Sequence, residues 1–192
     1  MHVNCDLGKR NEVEKVFDDI KKKYGRLDIL VNNAGFSSPI KSLKATTEES
    51  FDEVINSNVK SVIWCSQFAA ELMIDMGWII NTSSIRGLEY SGRAISYSLA
   101  KAAVNSLTKT MALELAPKIY VNAVLPGSVS QTKIYDNRKP EANATFDNRL
   151  PLKKAIKAEE IAESYLFLAT QNYLTGTLLL ADGGLTLLEN WI

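Results

Sequence analysis

Apolar positions along the chain fall into short runs and helical stripes that alternate from end to end. Between Asn11 and Tyr24, the residues Val13, Val16, Phe17, Ile20 and Tyr24 share one helical face. Asn11 and Glu14 have capping-box spacing, Gly25 suits the stop, and Lys21, Lys22 and Lys23 read as a solvated last turn. Leu27–Val31 is a short apolar run that breaks at Asn32-Asn33-Ala34-Gly35, which predicts a buried strand ending in a glycine turn. A long helical stretch follows from Thr46 to Met73, with Phe51, Val54, Ile55, Val59, Val62, Ile63, Phe68 and Leu72 as apolar positions. Trp78–Asn81 predicts a strand, Ser98–Leu115 a helix stopped by Pro117, and Ile119–Leu125 a strand broken by Pro126-Gly127. Periodicity dissolves over 128–154, a segment long enough to read as functional or mobile. Ala158–Ala169 predicts a helix, and Thr177–Ala181 a last strand before Asp182-Gly183-Gly184.

Strands alternating with helices predict an α/β fold in one domain over 1–192: a doubly wound parallel sheet of Rossmann type. Each strand ends in a small-residue turn. Ligands of such sheets gather beyond the carboxyl ends of the strands, so those turns are where a site belongs.

Composition narrows the function classes. The 192 residues carry 22 Lys plus Arg against 22 Asp plus Glu, so the basic excess of a nucleic-acid binder is missing. Two cysteines without a CxxC pair point to a reducing, cytoplasmic setting, and neither a membrane-length apolar run nor a signal peptide is seen. His2 is the single histidine. That excludes an HExxH site, and a Ser-His-Asp triad would have to recruit a residue at the very terminus. No metal site is expected. Proton transfer falls to Tyr, Lys, Asp, Glu or Cys.

Tyr97 and Lys101 stand at i, i+4 near a helix start and share a face. An ammonium beside a phenol favours the phenolate and lowers its pKa, although Tyr-x-x-x-Lys also arises by chance on amphipathic helices. Ser84, just past a strand end, either caps a turn or hydrogen-bonds a substrate oxygen. Asn58, among apolar neighbours in a helix, either faces solvent or has a structural task. Cys65 reads as a small helix-face residue.

The ordered set decides between these readings. Asn32-Asn33-Ala34-Gly35, Asn58, Ser84 in Ile-Ile-Asn-Thr-Ser-Ser, Tyr97-Ser-Leu-Ala-Lys101, Pro126-Gly127 and Asp182-Gly183-Gly184 occur in one chain. With that set, the sequence resembles the short-chain dehydrogenase/reductase family from about Cys5 to Gly184. The resemblance implies an NAD- or NADP-dependent oxidoreductase that moves a hydride between nicotinamide and a carbonyl or secondary alcohol. It implies Tyr97 as general acid/base, Lys101 as the group that lowers its pKa and holds the nicotinamide ribose, Ser84 as the residue orienting the substrate oxygen, and Asn58 as holder of a relay water. It places Asp6 and Leu7 beside the adenine, Asn32, Ala34 and Gly35 along the cofactor, and Pro126, Gly127 and Val129 beside the nicotinamide. Substrate choice is expected to reside in a loop over 128–154.

The family's opening strand, Thr-Gly-x-x-x-Gly-x-Gly loop, helix and second strand have no counterpart in these residues, so the sheet is expected to be incomplete at its N-terminal side. His2-Val3-Asn4-Cys5 reads as a strand remnant, and a longer natural polypeptide is expected. The alternatives are a 3-oxoacyl carrier-protein reductase and an inactive fragment acting only in oligomer association. A homotetramer is expected, because Trp64, Phe68, Ala69 and Met73, with Val104, Leu107 and Met111, exceed one inward stripe, and because the apolar end Leu187–Ile192 suits a second interface.

Overall fold

Four short apolar runs form one parallel sheet in the computed structural model, which describes residues 1–37, 42–88, 94–132, 135 and 139–188. The strands are β1 (Ile29–Asn32), β2 (Gly77–Thr82), β3 (Ile119–Pro126) and β4 (Leu178–Ala181), paired in the order β1-β2-β3-β4. Registers run Val31 to Ile80, Ile80 to Asn122 and Val124 to Leu179. β2 and β3 bury both faces, as their unbroken apolar runs require.

Helices cover both faces. On one side α1 (Arg10–Tyr24), α3 (Ser61–Leu72) and α4 (Ile95–Leu115) enclose a core of Val13, Phe17, Phe68, Ile79 and Val121. On the other side α6 (Ala158–Thr170) seals Ile80 and Val124 beneath Ile161 and Leu168. The doubly wound α/β expectation holds, and all four strand ends open on one rim.

Several local expectations give way to context. The stretch 46–73 is three segments: α2 (Glu48–Ile55), a π-helical turn (Asn56–Lys60), and α3. The predicted cap at Asn11 is replaced by Lys9, because the Asp6 amide takes the Glu12 carboxylate and helical turns begin one residue earlier. Residues 2–5 form no strand, and Cys5 instead packs on the core. Within 128–154 a helix, α5 (Pro140–Arg149), forms with proline in its first turn; its sequence has too few apolar positions for periodicity to reveal it. Among the described residues β1 pairs with β2 alone, and Ile29 and Val31 lie exposed where the apolar run predicts burial. Phe68, Ala69, Met73 and Val104 are consumed by this chain's own interior and offer nothing to a partner. Of the C-terminal stretch Leu187–Ile192, positions 189–192 lie outside the described residues; Leu187 is exposed and Leu188 packs against Leu150 and Leu185.

A buried polar relay ties the sheet to its helices. Asn32 Nδ2 donates to Ser66 Oγ (3.1 Å) and Asn81 Oδ1 (2.8 Å), and Asn81 Nδ2 donates to Thr108 Oγ1 (3.0 Å). Thr108 Oγ1 in turn donates to the Val104 carbonyl at 2.8 Å. Deleting the middle member leaves buried groups without partners, each costing about 1–3 kcal/mol. Asn81→Leu, close in volume, is therefore expected to lower unfolding free energy by about 2 kcal/mol in urea titration. A loss below about 0.5 kcal/mol would show the relay to be energetically idle.

Candidate active site

The rim at the strand ends is built outward from Thr82. Beyond it, the Ser83 amide still donates to the Val124 carbonyl at 2.9 Å, and the chain then leaves the sheet. Ser84 caps a 3-10 turn, Ile85–Gly87, its hydroxyl accepting from the Arg86 amide at 3.2 Å. That turn lies directly on α4. A Cβ on Gly87 would sit 2.7 Å from the Lys101 carbonyl carbon, so only glycine allows the approach. Ser83 Oγ donates to the Lys101 carbonyl at 3.1 Å, fastening the same contact from the strand side.

α4 opens after Ala94, held at φ 64° in the left-handed region, and presents Tyr97 and Lys101 to this turn. Lys101 is buried and Tyr97 is half-buried, with the Ser84 side chain close enough to act on the phenol. Lys101 Nζ stands 5.5 Å from the Tyr97 ring centroid and donates to the Thr82 carbonyl at 2.9 Å. Burial pushes the Tyr97 phenol above its ordinary range, against the pull of the Ser84 hydrogen bond and the Arg86 charge. The sequence reading expects a phenol lowered by Lys101. The structure reverses that direction in the ligand-free site, because desolvation outweighs the neighbouring charges. Burial also lowers the Lys101 amine to about 8. Of the two roles left open for Ser84, the structure shows the cap, and it also sets the side chain beside the phenol.

Asn58 sits in the π turn, buried, where an extra residue per turn widens the backbone. Its Nδ2 donates to the Phe36 carbonyl (2.7 Å), the Val54 carbonyl (3.0 Å) and Ser57 Oγ (3.0 Å). Its Oδ1 is buried with no hydrogen-bond partner among the described residues. A Cβ on Gly35 would lie 2.7 Å from that oxygen and 3.5 Å from Lys101 Nζ, so Gly35, Asn58 and Lys101 line one depression. Ala34 stands exposed beside it.

Asn32 does not join this group through its side chain, since the amide is spent on Ser66 and Asn81. Asp6 is exposed and accepts from the Gly8 amide, and Gly8 abuts Asn56 at the start of the π turn. Leu7 is half-buried against the core. On the far side, the Gly127 amide donates to the Ala181 carbonyl at 3.0 Å, and Val129 bridges to Ile156. Pro126 ends β3 between them. Asp182 closes the last turn, accepting from the Gly184 amide and from Thr186.

An orphaned oxygen at Asn58, a floor at Gly35 that a side chain would fill, and a buried ammonium fit the nicotinamide–ribose end of a dinucleotide. Glycine-rich backbone for a pyrophosphate is not among the 192 residues. Sequence reasoning missed Thr82 and Ser83, although both lie in the Asn-Thr-Ser-Ser motif. It also missed Tyr165, whose hydroxyl lies 2.7 Å from Thr82 Oγ1. Among the described residues, no three His, Cys, Asp or Glu group as metal ligands, and no helix is long and apolar enough to cross a membrane.

Residues 1–186 match the adh_short_C2 family, described as enoyl-(acyl carrier protein) reductase. The chain is 39% identical over 183 residues to the 3-oxoacyl-[acyl-carrier-protein] reductase FabG of Thermotoga maritima, covering 93% of this chain and 74% of that protein. Its fold is similar to the ligand-free aldohexose dehydrogenase of Thermoplasma acidophilum, with a TM-score of 0.93, 29% identity and coverage of 98% and 79%. ElxO with NADP bound gives a TM-score of 0.87 at 34% identity, over 95% of this chain and 77% of that one.

The lowered Lys101 amine carries a stability signature. Below about 8, Lys101 is charged in both folded and unfolded chains, and the folded state bears the desolvation cost. Between about 8 and the ordinary value of 10.5, the unfolded chain keeps a proton that the folded protein has released, so stability rises with pH. The slope is at most about 1.4 kcal/mol per pH unit. Lys101→Met is expected to lose that rise, so its unfolding free energy falls behind the wild type's as pH climbs. Parallel curves for the two proteins would contradict the buried-cation assignment.

Proposed function

The chain belongs to the short-chain dehydrogenase/reductase family, NAD(P)-dependent oxidoreductases acting on carbonyls and alcohols, and on that premise we propose that Ser84, Tyr97, Lys101 and Asn58 are its catalytic group. The observation that carries this reading is Lys101 Nζ, buried at the strand ends and held by the Thr82 carbonyl, 5.5 Å from the Tyr97 ring that Ser84 adjoins. Bound NAD(P)H supplies the hydride. Everything else falls to the chain's own residues.

In the reduction direction the phenol of Tyr97, protonated at neutral pH, gives its proton to the substrate oxygen as negative charge develops there. Ser84 Oγ, already within hydrogen-bonding reach of that phenol, holds the same oxygen. Lys101 stands beside the ring and stabilises the phenolate left behind, a role that grows when the proton departs. Its ammonium also faces the Gly35 floor, where ribose hydroxyls would be held. The Asn58 Oδ1 is an acceptor for a water that returns the proton. Ala34 and Gly35 after β1, and Pro126, Gly127 and Val129 at the end of β3, would flank the cofactor through backbone, with Asp6 and Leu7 toward its adenine. The segment 128–154, now seen to contain α5, would govern substrate entry.

A narrower reading takes 3-oxoacyl thioesters as substrates, supported by the identity to the Thermotoga reductase. We also propose a homo-oligomer, as a tetramer, in a reducing cytoplasm: Leu113 (84% exposed) and Leu99 on α4 remain uncovered, and both cysteines are free. Light scattering that returns a monomer at micromolar concentration would remove the oligomer.

Tyr97→Phe keeps the ring and loses the proton donor, so turnover is expected to fall by about 10²–10⁴-fold with dinucleotide affinity nearly unchanged. Lys101→Ala is expected to lower turnover and affinity together. Oxidation of NADH or NADPH with a panel of ketones, sugars and acyl thioesters measures both. Retention of more than about a tenth of wild-type turnover in Tyr97→Phe would refute the assignment. Failure of the wild-type protein to bind dinucleotide would favour a silent, purely associating chain.

A further inference from the structure

Thr82 is the point where the sheet stops holding β2 from both sides. The β1–β2 ladder ends at Asn32 and Asn81, whereas β3 still pairs with Thr82 through Val124. Two side-chain hydrogen bonds take over on the open side. Thr82 Oγ1 donates to Asn33 Oδ1 at 3.1 Å and lies 2.7 Å from the Tyr165 hydroxyl on α6. An amide oxygen only accepts, so the single Thr82 proton goes to Asn33 and Tyr165 is the donor in the second bond. The Tyr165 ring packs with Ile80, Val124 and Leu168, and its hydroxyl reaches from that cluster to the strand end.

The backbone of the same threonine carries the catalytic cation's anchor, since its carbonyl accepts from Lys101 Nζ at 2.9 Å. A side chain on one face of the sheet therefore fixes the acceptor for a cation on the other. We propose that Tyr165 is a positioning residue for the hydride-transfer site, holding through Thr82 the carbonyl that receives the Lys101 ammonium. The proposal rests on the reading of Tyr97 and Lys101 given above, but its test does not require turnover.

Phenylalanine fits the same apolar seat, so Tyr165→Phe removes the hydroxyl and little else. With Thr82 released on that side, its carbonyl aligns less well with the ammonium. A buried amine that loses part of such a bond is disfavoured further in its charged form. The Lys101 titration midpoint, followed by 13C NMR of the lysine ε carbons in the purified protein, is expected to drop by about 0.5 pH unit. The ionisable groups around it do not confuse the reading. Tyr97 on α4 and Tyr165 on α6 are both raised by burial, and Arg86 on the turn after β2 stays charged.

Thr82→Val keeps the shape without the hydroxyl and is expected to give the same drop, with no further drop in the double variant. Melting temperature establishes that each variant is folded, and Thr82→Val decides if Tyr165→Phe is not. An unchanged midpoint, or additive drops in the double variant, overturns the proposal. An inactive Tyr97→Phe alongside an unchanged Lys101 midpoint leaves the catalytic reading standing and removes only the role of Tyr165. A lowered midpoint alongside an active Tyr97→Phe does the reverse.

Discussion

Burial of one ammonium organises the rim of this molecule. Lys101 is 4% exposed, and a cation so placed is tolerable only if a fixed acceptor receives it. Thr82 provides that acceptor, because β1 has ended one residue earlier and leaves its carbonyl outside the ladder on that side. The Ser83 hydroxyl and Gly87 clamp the same helical turn from the strand side. Ser84 is thereby delivered to Tyr97. Of the proposed catalytic group, Lys101 and Ser84 are thus placed by neighbours that satisfy buried polar atoms.

The relay through Ser66, Asn32, Asn81 and Thr108 does for the sheet what Thr82 does for the site. It joins α3, β1, β2 and α4 one layer below the rim, so the elements that carry Asn58, Gly35 and Lys101 keep a common level. The π turn adds a local departure at the same height. By widening one helical turn it sets the Asn58 oxygen against Gly35, where regular helix would carry the residue past.

Much of this is legible in the chain. The strand runs and the helix over 158–169 follow from periodicity, and the Ser84, Tyr97 and Lys101 set stands out through the resemblance that the ordered motifs carry. Other features are not, for physical reasons. A π turn has no signature in an apolar stripe, so residues 46–73 read as one helix. The Asn-Asn pair marks a turn without saying which amide faces inward, and Asn32 is the one taken by the interior. Nothing along the chain singles out Tyr165; only the fold reveals what its hydroxyl meets. The direction of the Tyr97 shift depends on burial against charge, and spacing along a helix reports only the charge.

The central claim is that this rim directs hydride transfer to a carbonyl carbon. Supplying the enzyme with NADH or NADPH deuterated at the transferable C4 position, with a ketone it reduces, tests that claim most directly. The account predicts one deuterium on the new carbinol carbon of the product, by mass spectrometry, and none exchanged into solvent. Product formed without that label would contradict it.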